Sequence, residues 1–197
     1  EAEDRFARAF VLNENNSLLR VSYSQLKFAT GDLVQGWEYY GAGWEAHAKD
    51  SQRRPFRSAA PWWHGEDISD RTLLIYREQG IGDEICFASM IGDVIDQAGS
   101  TIIEVSPRLV DLFARSFPSA TVRGQTVDSQ NDETMKVPDF DVMIPMGNLG
   151  AIVRRDIDSF GEESSYLTAE PKRADEFERW LRDSSPHLPA VGIAWRE

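Results

Sequence analysis

Cysteine is nearly absent from this 197-residue sequence, and the single Cys86 excludes an internal disulfide. That usage fits a reducing compartment and a cytoplasmic location. Histidine is scarce too. His47, His64 and His187 lie far apart without metal-ligand spacing, so no metal site is expected. No apolar run approaches the roughly 18 residues a membrane span needs, and no stretch has the pattern of a secretory signal. Positive charge is also in short supply, with 21 Lys and Arg against 33 Asp and Glu, a net charge of −12. Residues 1–60 hold eight of each sign, and the remainder holds 13 against 25. An acidic second part repels phosphate backbones, which argues against nucleic acid and anionic membrane surfaces as partners. A small nucleotide in a local pocket stays compatible with it.

What is present is 41% hydrophobic and 27% charged, enough for one α/β domain and an appendage. The centre of the chain is the stretch from Thr72 to Gly92. Thr72-Leu73-Leu74-Ile75-Tyr76 is a short apolar run of the buried parallel-strand kind. Gln79-Gly80-Ile81-Gly82-Asp83 breaks it, and a helix pattern from Asp83 to Ala98 follows. Strand, glycine turn and helix open a βαβ unit, and open α/β sheets bind ligands at the carboxyl ends of their strands. Gln79, Gly80, Ile81 and Gly82 form the candidate ligand loop, and Asp83 the candidate carboxylate. Asp83 has two readings: a first-turn acid that caps the helix, or a general base at a cleft mouth. The motif lacks the third glycine of a dinucleotide fingerprint, because Ile85 stands there, and it lacks the Gly-Lys-Ser/Thr of a phosphate loop. Cys86 falls inside the helix pattern and reads as a small core residue.

Residues 1–48 read as helices. Ala2 and Gly36, Phe6 and Tyr40, and Ala9 and Gly43 are each 34 residues apart, the period of a tetratricopeptide repeat. Ser17 to Thr30 and Leu33 to Ala46 are its two helices, the second carrying Trp37, Tyr40 and Trp44 on one face. Those rings are the candidate partner-binding face, and packing against the next domain is the competing reading. Residues 49–71 are a linker with two prolines, the basic cluster Arg53, Arg54 and Arg57, and the adjacent Trp62 and Trp63. In an extended segment neighbouring side chains point oppositely, so one tryptophan is expected on each flanking module.

Beyond the first unit, Thr101 to Ser106, Ala120 to Arg123 and Phe140 to Ile144 have strand patterns. The last ends at a loop containing Asn148, a further ligand-loop candidate. Pro171 begins a charged amphipathic helix with Phe177, Trp180 and Leu181 on its apolar face. Alternating strand and helix patterns imply a parallel sheet with helices on both faces, residues 72–188. Residues 189–197 read as the first strand of a further domain, and the repeats as the end of a longer array.

Together these residues resemble tetratricopeptide-repeat proteins whose C-terminal part is a glycosyltransferase family 9, heptosyltransferase-like domain. The resemblance rests on Gly31-Asp32, Gly36-Trp37 and Trp44 in the repeat, and on Pro61, Trp63 and Gly65 in the linker. It continues through Thr72-Leu73-Leu74, Glu78-Gln79-Gly80-Ile81-Gly82-Asp83, Phe87-Ala88, Glu104-Val105 and Val191 to Trp195. It implies the acceptor-side, Rossmann-like half of a two-domain GT-B enzyme that transfers a sugar from a nucleotide-sugar to an acceptor hydroxyl with inversion. The acceptor would be a glycan or a protein. It also implies that Asp83 deprotonates that hydroxyl, that no metal or cofactor is needed, and that the donor binds mostly elsewhere, Arg196 being one candidate phosphate contact. The alternative is an interaction scaffold whose glycosyltransferase-like domain is degenerate and not catalytic.

Overall fold

A computed structural model of the chain describes residues 1–13, 15–43, 58, 60–125, 138–161, 165–184, 189 and 191–193. Trp44, Arg196 and the arginines of the linker cluster lie outside the described residues.

Among the described residues, the N-terminal part has three helices: α1 (Ala2–Leu12), α2 (Ser17–Ala29) and α3 (Leu33–Tyr40). Their starts follow from side-chain caps. The Asn16 side chain accepts from the Leu19 N–H at 3.0 Å, and Asp32 accepts from the Gln35 N–H at 3.2 Å. A ring cluster of Phe6, Phe10, Tyr23 and Tyr39 knits the three helices, with centroids 5.1 to 5.9 Å apart. Lys27 is buried among them and is paired to Glu3 at 2.8 Å and Asp32 at 3.4 Å. Gly36 is a packing requirement, since a Cβ there would overlap the Phe28 ring.

The second part is an α/β unit. Its strands are β1 (Ile68–Tyr76), β2 (Ala98–Val105), β3 (Thr121–Gly124) and β4 (Val142–Pro145). All pairings are parallel, in the order β3-β2-β1-β4. That is the strand order of a doubly wound sheet, with the reversal of direction between β1 and β4. Strand alternation divides the side chains. Leu73, Ile75, Ile103, Val105, Val142 and Ile144 face the main core, and Leu74, Tyr76, Ile102 and Met143 face a smaller one.

Four short helices cover the main core: α4 (Ile81–Phe87), α5 (Gly92–Ile95), α6 (Val110–Ser116) and α7 (Gly150–Val153). Among the described residues, the other face is packed by Ala60, Trp62 and Phe140 and by no helix, so the helices expected on both faces are seen on one. The helix predicted from Asp83 to Ala98 is thus two helices with a 3-10 turn, Ala88–Met90, between them. Ser89 donates its hydroxyl to the Cys86 carbonyl at 2.8 Å, and Gly92 follows, so the helical hydrogen bonding is both diverted and intrinsically weak. Cys86 is exposed, contrary to the core position read from its pattern, because the buried stripe runs through Glu84, Ala88 and Ile91.

The tryptophan pair also departs from expectation. Pro61 and Trp63 exchange backbone hydrogen bonds with Met143, at 3.0 and 2.9 Å, so this segment extends the sheet beside β4. Trp63 enters the main core at 1% exposure and Trp62 packs in the smaller one. The two rings clamp opposite faces of one sheet, not two modules, because the segment became a strand edge.

A last helix, α8 (Pro171–Ser184), keeps Phe177, Trp180 and Leu181 exposed. Val191 and Ile193 are exposed and carry no strand; the rest of the predicted final strand lies mostly outside the described residues. No helix among the described residues is long and apolar enough to cross a membrane.

The clamp gives a test of the fold. Trp63→Ala should lower stability by about 4 kcal/mol in urea unfolding. Trp62→Ala, at the less enclosed face, should lower it by less.

Candidate functional site at the carboxyl edge of the sheet

Ligands of open α/β sheets sit outside the carboxyl ends of the strands where the order reverses, which here is the gap between β1 and β4. β1 ends at Tyr76, so Arg77, Glu78, Gln79 and Gly80 lie on one side of that gap. β4 ends at Pro145, so Met146–Leu149, a 3-10 turn containing Asn148, lies on the other. Gln79, Gly80, Ile81, Gly82, Asp83 and Asn148 are therefore placed at one edge of the sheet.

Two side chains, those of Arg77 and Asp83, hold the backbone of the turn. Gln79 has φ 60°, in the left-handed region that a non-glycine residue seldom enters. Its carbonyl accepts from the Arg77 guanidinium at 3.1 Å. The N–H of the next residue, Gly80, donates to the Asp83 carboxylate at 3.0 Å. Asp83 thus fills the helix-start role that one of its readings assigned to it, as half of a capping box; Gly80 has no side chain to complete the other half. Its side chain is half-buried, so capping does not seal it from solvent.

Arg77 is steadied from behind. Its Nε sits 3.0 Å from a carboxylate oxygen of Glu84, which is fully buried. Glu84 also accepts from the Ser106 N–H at 2.7 Å and its hydroxyl at 2.6 Å. A buried carboxylate with three donors is satisfied, and it ties α4 to the end of β2. At the next position along this edge, Glu104 pairs with Arg123 at 2.7 Å. Burial pushes the Glu104 carboxyl above the ordinary range, against the pull of Arg123 and Gln125.

Helix α3 reaches this edge as well. The Tyr40 hydroxyl donates to Glu78 at 2.9 Å and accepts from the Gln79 amide at 2.8 Å. Glycine at 147 is required for this fit, since a Cβ there would overlap Glu78, Tyr40 and Phe87. Trp37 lies against Gly150, where a Cβ would strike the indole, and its Nε1 donates to the Arg154 carbonyl at 2.8 Å. Trp37 and Tyr40 are therefore committed to the junction with the α/β unit. A cavity of about 500 Å3 remains between α2, α3 and the loop, walled by Phe28, Trp37, Tyr40, Gln79, Phe87 and Phe160. Its volume suits a small ligand, and Asp83 does not line it. No cluster of three or more His, Cys, Asp or Glu among the described residues could hold a metal ion.

Protein FlbA of Caulobacter vibrioides is similar to this chain. The two are 25% identical over 193 residues, 93% of this chain and 32% of FlbA. The chain thus spans about a third of the length of the curated relative it matches. No protein-family model matches the chain, and no solved structure does.

Arg77, Glu78, Glu84, Ser106 and Tyr40's bond to the loop were not singled out as site-building features in the sequence. Glu84 had a signal: it lies with Ile81, Ala88 and Ile91 on the buried stripe, where a charge needs a partner. Its absence can be measured. Glu84→Ala strands Arg77 and two Ser106 donors and should cost about 3 kcal/mol in unfolding free energy, more than Ser106→Ala at about 1 kcal/mol.

Proposed function

We propose that this chain is the acceptor-side part of an inverting glycosyltransferase of the heptosyltransferase-like kind, preceded by tetratricopeptide-type helices. Asp83 is the general base in this reading. The observation that carries it is the position of that carboxylate: half-buried, one residue past a Gly-x-Gly turn, and at the β1 edge of the strand-order reversal. Inverting sugar transfer needs one carboxylate within hydrogen-bond reach of the attacking hydroxyl. The bond from Gly80 engages one carboxylate oxygen, Oδ2, and fixes the group's orientation. The proton from the acceptor hydroxyl passes to Asp83 as the hydroxyl oxygen bonds to the anomeric carbon, and the nucleoside diphosphate leaves with the electron pair. The leaving diphosphate calls for positive dipoles or side chains, supplied mostly by a part of the enzyme beyond this chain. Arg196 remains a candidate for one such contact. The site is assigned to the cytoplasm, with a nucleotide-sugar donor and a glycan or protein acceptor.

A second reading is supported by Tyr40 and Trp37. Because these rings occupy the edge where such sheets take ligands, the α/β unit could serve as a platform for the helices, with no chemistry of its own. Partner capture would then use the helical segment and the cavity beside it.

Asp83→Asn separates the two. Asparagine keeps an oxygen for the Gly80 N–H, so the fold should be unchanged, with a melting temperature within about 2 °C of the parent. In a longer protein carrying this chain, turnover of a nucleotide-sugar should fall by at least about 100-fold. Unchanged turnover defeats the assignment, and a longer protein that neither binds nor turns over nucleotide-sugars favours the platform.

A further inference from the structure

The peptide that joins Gln79 to Gly80 is gripped on both edges. Its carbonyl accepts from Arg77 at 3.1 Å, and its N–H donates to Asp83 at 3.0 Å. Its orientation depends on Gln79 staying at φ 60°, a conformation that an L-residue holds only under constraint. One constraint on the Gln79 side chain is the Tyr40 hydroxyl, 2.8 Å from Nε2, itself anchored 2.9 Å from Glu78. The ring is fixed in turn, packed edge-on to Trp37 and Phe87 with centroids 5.5 and 6.1 Å away.

We infer that Tyr40 is a positioning residue for Asp83, acting through Gln79 and the Gln79–Gly80 peptide. The helical segment is then part of the site, not a neighbour that merely rests on it. Loss of the hydroxyl lets Gln79 return to ordinary backbone angles. The peptide plane rotates, the Gly80 N–H leaves Asp83, and the carboxylate loses its fixed orientation. This builds on the reading of Asp83 as a base, but the geometry it concerns can be measured without any turnover.

The test uses the full chain and the rescue of one variant by another. Tyr40→Phe keeps the ring packing and removes only the hydroxyl. Gln79→Gly removes the steric objection to positive φ, so the turn no longer needs the hydroxyl. In hydrogen exchange followed by NMR, the Gly80 amide should exchange about tenfold faster in Tyr40→Phe. Central-strand amides of Leu74 and Ile75 should stay as protected as in the parent. Adding Gln79→Gly to Tyr40→Phe should restore the Gly80 rate. Unchanged Gly80 exchange in Tyr40→Phe overturns the inference, and so does failure of the double variant to recover. Parallel loss of protection at Leu74 and Ile75 also overturns it, by making the hydroxyl a general stability element. In a longer protein with transferase activity, Tyr40→Phe should lower kcat with KM unchanged. If no transfer is found while the exchange pattern holds, the base assignment fails and the positioning of Asp83 stands.

Discussion

A phenol and an indole join the helical segment to the α/β unit. Tyr40 comes from the last described turn of the helical segment and meets Glu78 and Gln79 where β1 ends. The bond is sheltered by the rings around it and by a glycine at 147 that leaves room for it. Around it, Trp37 seats on Gly150 and bonds the backbone at Arg154. A helix of eight residues is marginal alone, and α3 contains a glycine in its middle. Its stability therefore comes from packing, on α2 through Gly36 against Phe28 and Tyr39 against Tyr23, and on this seat. The seat in turn shapes the loop from Gln79 to Asp83.

The carboxyl edge of the sheet is rich in acids, and burial sorts them by role. Glu78, Glu84 and Glu104 are at most 3% exposed, and each is engaged by a donor from another element. These three hold structure: Glu78 takes the helical segment, Glu84 ties α4 and Arg77 to β2, and Glu104 ties Arg123. Asp83 differs in being only half-buried, with a single local bond to the turn that presents it. Sorting by exposure is what separates a carboxylate available for chemistry from carboxylates consumed by packing. Part of the chain's acidic complement is thus internal, held in ties between elements.

Strand patterns were legible because burial on both faces of a parallel sheet demands continuous apolar runs, as in Leu73 to Tyr76 and Val142 to Ile144. The glycine turn and the carboxylate after it were legible as a local break in that apolar pattern. What could not be read was anything decided by a distant partner. Glu84 looks like a first-turn acid until Ser106 and Arg77 are placed around it. Tyr40 looks like one ring of an aromatic stripe until β1 and β4 bring Glu78 and Gly147 beneath it. Trp62 and Trp63 alternate as extended residues must, but which surfaces they meet depends on the hydrogen bonds to Met143. The continuity of the helix after Asp83 failed on a short-range competition, the Ser89 hydroxyl against the helical ladder, that apolar periodicity does not register.

The claim on which the rest stands is that α3 sits on the carboxyl edge between β1 and β4. Interproton contacts in the full chain test it directly. NOEs are expected from the Tyr40 ring to the Phe87 ring and to the Gly147 α-protons. Their absence, in a chain whose helices and parallel sheet both give their own internal NOEs, would contradict it.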